Sequence, residues 1–101
     1  MPNEPNASGV LCWHIRVTGL VQGVSFRAYA AREARRLHLV GSVRNQPDGS
    51  VAIIAQGDAD HLERFRQWCE QGSPQAHVEQ VEVTPGDLVD AEGFAIERSG
   101  Q

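Results

Sequence analysis

An α+β sandwich is what this sequence predicts, on three observations. Residues 10–18 alternate between apolar and polar, as a half-buried strand does. Two stretches, 26–39 and 60–71, repeat apolar residues at helical spacing. Between them, Pro47-Asp48-Gly49 joins two strand-like runs into a hairpin. The order is strand, helix, strand, strand, helix, strand, with a short terminal strand. This βαββαβ order is the split β-α-β pattern of the ferredoxin-like sandwich, an antiparallel sheet with two helices on one face.

Each element has its own signal. In the first strand Leu11, Trp13, Ile15 and Val17 point toward the core, and Cys12, His14, Arg16 and Thr18 point away. Ser25 is the expected N-cap of the first helix. Its apolar residues are Phe26, Tyr29, Ala30, Ala34 and Leu37, and Arg32, Glu33, Arg35 and Arg36 fall mostly on the outer face. Gly41 is read as the end of that helical region. The second strand covers residues 41–46, centred on Val43, and the third covers 50–56. Asp60 is expected to cap the second helix with Glu63 as capping-box partner, and Leu62, Phe65, Trp68 and Cys69 form its buried face. The alternation of Ala76 and Val78 slips by one before Val81 and Val83, which predicts a bulge in the fourth strand. Pro85-Gly86-Asp87 is expected to break that strand, and Phe94 and Ile96 mark the last one.

With 101 residues the chain can build one core and not two. Residues 10–98 are therefore read as one domain. Residues 1–9, polar with two prolines and no basic start, are read as a flexible N-terminal tail and not a signal peptide. The net charge of -4 gives no general attraction for nucleic acid or an anionic membrane, so an anion site has to be local. Residues 10–17 are the longest apolar stretch, and His14 and Arg16 interrupt it, so nothing spans a bilayer. Cys12 and Cys69 lie far apart with no C-x-x-C and no Cys/His cluster. That argues against zinc and a disulfide scaffold, and reads as two reduced thiols in a cytoplasmic protein.

The most informative stretch is 19–27, Gly-Leu-Val-Gln-Gly-Val-Ser-Phe-Arg. It lies where a strand gives way to a helix. Two glycines let consecutive amides converge on one point, and a helix N-terminus and Arg27 follow. A cation in the first helical turn opposes the helix dipole, at about 0.3–1 kcal/mol, and an anion reverses that cost. The loop is no P-loop, since no Lys-Ser/Thr follows, so it gives no sign of nucleotide or Mg²⁺. A right-handed crossover makes the first two strands parallel, so the loop and Asn45 share one edge of the sheet. Asn45 can be a turn-entry residue before Pro47, or an amide that donates to phosphate and accepts from a water. Gln22 is expected to offer only its backbone. His14, His38, His61 and His77 fall away from the loop, and no Ser-His-Asp set or carboxylate pair is evident there.

Gly19-x-Val21-Gln22-Gly23-Val24-x-Phe26-Arg27 resembles the acylphosphatase signature. A second signature, Gly41-x-Val43-x-Asn45 followed by Asp48-Gly49-x-Val51 and Gly57, lies at the matching distance downstream. Gly72-Ser73-Pro74 and Phe94-x-Ile96 fit as well, so the resemblance covers roughly residues 11–98. It implies a small ferredoxin-like hydrolase acting on acid anhydrides, splitting the carboxyl–phosphate bond of acyl phosphates. Arg27 would bind phosphate with the loop amides of Val21, Gln22, Gly23, Val24, Ser25 and Phe26, and Asn45 would position the attacking water. No metal or cofactor is implied. Partners would be a small acyl phosphate and inorganic phosphate or another small anion at the loop, with no nucleic acid or membrane, and a monomer is expected. One departure is Ser42, where many members carry an aromatic residue.

Two other readings compete with this one. RNA-binding modules share this topology, but they stack bases on aromatics of central strands, and the third strand here has none. A non-catalytic anion-binding or regulatory domain occurs at the start of hydrogenase-maturation carbamoyltransferases. The chain ends at residue 101 with no partner domain, so a free-standing enzyme is expected.

Overall fold

The computed structural model describes residues 9–98, so the expected N-terminal tail lies outside the described residues except for Gly9. Its elements are β1 (Val10–Leu20), α1 (Phe26–Arg36), β2 (Val40–Asn45), β3 (Val51–Asp58), α2 (Ala59–Gln71), β4 (His77–Gly86) and β5 (Phe94–Ile96). The strands form one sheet in the order β4-β1-β3-β2-β5. The pairs β1–β3, β1–β4 and β2–β3 are antiparallel, and β5 joins β2 in parallel. The four strands of the βαββαβ unit are thus antiparallel, and the terminal strand makes the sheet mixed. Because β3 lies between β1 and β2 and opposes both, β1 and β2 run the same way. Their carboxyl ends share an edge.

The core forms between one sheet face and the helices. Ile15 and Val17 of β1, Val43 of β2 and Val51, Ile53 and Ala55 of β3 are buried there. Phe26, Ala30, Ala31 and Ala34 of α1, with Leu62, Phe65 and Cys69 of α2, cover them. Each large apolar side chain buried this way is worth about 1.5–3 kcal/mol. Tyr29, expected on the inner face of α1, is exposed, and Ala31 takes the buried place.

Several boundaries differ from expectation for local reasons. The first helix ends without Gly41. The His38 amide donates to Arg35 O and the Leu39 amide to Ala34 O, with His38 left-handed at φ 60, which is the Schellman end of a helix. Gly41 serves β2 instead: at φ 140 its absent Cβ leaves room for the Ile54 carbonyl. Ser25 precedes α1 but sits at φ 62 and makes no side-chain cap hydrogen bond. The cap of α2 is Asp58 and not Asp60, because β3 runs directly into the helix. Asp58 Oδ1 accepts from the His61 amide at 2.8 Å, and Glu63, already inside the helix, binds Arg66. The predicted bulge is present, with the β1–β4 register shifting beside Gly19 so that Glu79 is skipped. β4 ends at Gly86, inside the expected Pro85-Gly86-Asp87 break, but runs on through Pro85. That strand lies at the edge of the sheet, where a missing N–H costs no ladder bond.

The face opposite the helices also departs in one place. Cys12 is buried at 3%, although its parity points outward. Across from it, the Gln56 carboxamide exchanges two hydrogen bonds with Val89, at 2.7 and 3.0 Å. These fasten the chain after β4 over this end of the sheet.

Candidate functional site

The 19–27 stretch occupies the edge where β1 and β2 both end. Gly19 lies at φ 119, and a Cβ there would collide with the His77 carbonyl of the bulged β4. The loop then alternates handedness, with Gly23 at φ 77 and Ser25 at φ 62, ψ 25. Left-handed residues within such a run turn successive N–H groups to the same side, which makes a concave anion nest. Ser25 is not a glycine, so its conformation costs on the order of 1 kcal/mol or more.

Two contacts hold the loop from beneath. The buried Ser73 hydroxyl donates to the Val24 carbonyl at 2.8 Å. Phe26 is fully buried, with its ring 5.3 Å from that of Trp68. The start of α1 is thereby anchored to α2. The Ser25 carbonyl accepts the first helical bond, from Tyr29. Amides of Phe26, Arg27 and Ala28 precede the helical ladder and have no partner within it.

A cleft of about 450 Å³ opens in front of these amides. Val21, Gly23, Ser25, Phe26, Arg27 and Ala28 line it from the loop and helix, and Asn45 and Ile96 line it from β2 and β5. The structure therefore brings Arg27, Asn45 and most of the expected loop together. Gln22 and Val24 are absent from the lining. Asn45 pairs with Val51 at the last position of β2, half-buried on the same side as Val43. Among the described lining residues there is no Asp, Glu, His, Cys or Lys.

Arg27 Nη1 donates to the Glu97 carbonyl at 2.7 Å. Glu97 is itself fixed by its amide, which donates to Val43 O at 2.8 Å. The acceptor is neutral, so it does not offset the guanidinium charge, and among the described residues the bond engages one of five N–H donors. No salt bridge engages Arg27 among the described residues. Sequence reading missed this tether, because β5 is short and its carbonyl direction leaves no residue signature. It also missed the Gln22 side chain, whose Nε2 donates to the carbonyls of Gln46 and Ser50, both at 2.8 Å. The paired glycines around Gln22 drew attention to the backbone alone.

A family model described as acylphosphatase matches residues 13–96. The chain belongs to the acylphosphatase family. An acylphosphatase of Nocardioides sp. is 56% identical over 72 residues, spanning 71% of this chain and 73% of that protein. An acylphosphatase of Azoarcus sp. is 50% identical over 80 residues, spanning 79% of this chain and 82% of that protein. The solved structure of an acylphosphatase from Coxiella burnetii superposes with a TM-score of 0.87 at 32% identity, covering 94% of this chain and all of that one. Both acylphosphatase signature stretches lie inside the matched residues and supply the cleft.

Proposed function

We propose that this acylphosphatase-family chain hydrolyses the carboxyl–phosphate bond of acyl phosphates at the Arg27–Asn45 cleft. Arg27 and the loop amides from Val21 to Phe26 bind the phosphate, and Asn45 positions the attacking water. The observation that carries this reading is a guanidinium held by a carbonyl, with no carboxylate among the described residues pairing it, beside a nest of amides. Planar N–H donors of arginine match phosphate oxygens.

The chemistry fits a cleft whose described lining residues include no carboxylate, histidine, cysteine or lysine. The carboxylate that leaves has a conjugate acid of pKa about 4, so it departs without a proton. Phosphoryl transfer rests mainly on positioning and charge stabilisation, which fixed amides and one arginine supply. The Asn45 carboxamide can accept from the water while donating to phosphate. The water's proton passes to a phosphate oxygen of the substrate. Water attacks phosphorus, the P–O bond to the acyl group breaks, and the products are carboxylate and inorganic phosphate.

Benzoyl phosphate mixed with purified protein and no added metal tests this reading. Hydrolysis well above the buffer rate is expected, with no ionisation between about pH 6 and 8 that disappears on mutating a side chain. A rate equal to the buffer blank would remove the proposal.

A further inference from the structure

The two halves of the cleft are not joined by the sheet. The loop leaves β1 and Asn45 ends β2, and β3 lies between those strands. No ladder hydrogen bond therefore fixes the loop against Asn45. The Gln22 side chain spans this gap. Its Nε2 reaches the carbonyl of Gln46, the residue after Asn45, and that of Ser50, the residue before β3 begins, both at 2.8 Å.

Those carbonyls do not need Gln22 to be satisfied. Gln46 O already accepts from the Gly49 amide at 3.1 Å, and Ser50 O from the Gln46 amide at 2.8 Å. The hairpin turn closes by itself. What the carboxamide adds is a link from the loop to the turn, using both hydrogens of one NH₂ group. The reverse orientation would set Oε1 against two carbonyl oxygens, so the network fixes the amide's direction.

We propose that Gln22 is a positioning residue that sets the separation between the phosphate loop and Asn45. Its side chain touches neither substrate nor water and acts through the backbone on both sides. This rests on the reading of Arg27 and Asn45 given above. Positioning errors near 1 Å can cost up to about 10²-fold in rate, and a link that leaves each half intact governs turnover more than binding.

Gln22→Met tests it, since methionine keeps the length of the side chain and removes the donor. For benzoyl phosphate, kcat is expected to fall about tenfold, with KM and inhibition by inorganic phosphate within about threefold of wild type. In an Asn45→Ala background the same change is expected to cost less than about twofold, because the water is no longer held. Wild-type kcat in Gln22→Met, or losses that multiply fully in the double variant, overturns the positioning role while leaving the cleft assignment in place. Wild-type kcat in Asn45→Ala removes the cleft assignment and this proposal with it. Should Gln22→Met not fold, wild-type protein gives the answer by NMR. The Gln22 side-chain amide protons are expected to exchange slowly and to shift together with those of Asn45 when phosphate is added. Free-peptide exchange of the Gln22 amide overturns the proposal.

Discussion

Arg27 and Arg16 both reach solvent from the central elements of the fold, yet they face opposite sides of the sheet and meet opposite partners. On the open face, Arg16 binds Asp48 Oδ2 at 2.9 Å and approaches Glu82 at 3.4 Å. Its neighbour in the same row, Arg44, pairs with Glu97 at 4.0 Å. On the helix side, Arg27 has a carbonyl and not a carboxylate. The comparison separates two uses of one residue type. An arginine paired with carboxylates links strands, and their negative charge offsets its own toward a ligand. An arginine oriented by a neutral acceptor is held in place with no carboxylate offsetting its charge, which suits it to the anion role proposed above, even in a chain of net charge -4.

The largest expected effect breaks the helix-side member. Arg27→Ala is expected to lose about 10²–10³ in kcat/KM for an acyl phosphate, the size of removing a principal oxyanion contact. Arg16→Ala, measured beside it, is expected to stay within about threefold of wild type, since surface ion pairs contribute little. Equal losses in both would erase the distinction. Asn45→Ala comes next. Its kcat is expected to drop about 10- to 10²-fold while inhibition by phosphate changes far less, a split that steady-state kinetics reads directly.

The smallest effect lies on the open face and concerns acid. The Asp48 carboxyl is held well below its ordinary value by the Ser50 hydroxyl, then the Ser50 amide, then Arg16. A depressed folded value stabilises the fold fully above the ordinary value of 3.8, and the contribution fades as pH falls below it. Thermal melts of Asp48→Asn are therefore expected to lie slightly below wild type at neutral pH and to converge with it in acid. Parallel melting curves from pH 7 to 2 would show that the Asp48 contacts carry no linkage. Activity at neutral pH is expected to be little changed.

The same contrast explains how much could be read from the sequence. Local rules governed the element order, the Pro47-Asp48-Gly49 hairpin and the β4 bulge, and each is present. The slip between Val78 and Val81 became the register shift beside Gly19. Glycines and Arg27 marked the loop because backbone freedom and charge leave visible residue signatures. Choices between near-equal local options were not legible. Asp58 and Asp60 both have capping chemistry, and only the length of β3 decides for Asp58. His38 in place of a glycine ends α1, since tertiary packing of Leu37 and Leu39 holds the turn. Contacts across long separations were hidden as well. Gln22 to Ser50 and Arg27 to the Glu97 carbonyl depend on the closed sheet and on no spacing along the chain.

Titration calorimetry with inorganic phosphate addresses the central claim most directly, because it reads the anion site without turnover. Wild type and Arg16→Ala are expected to bind phosphate with matching affinity, and Arg27→Ala is expected to lose at least about tenfold, the effect of one charge-assisted contact. Undiminished phosphate binding in Arg27→Ala would contradict the assignment of that guanidinium to the anion.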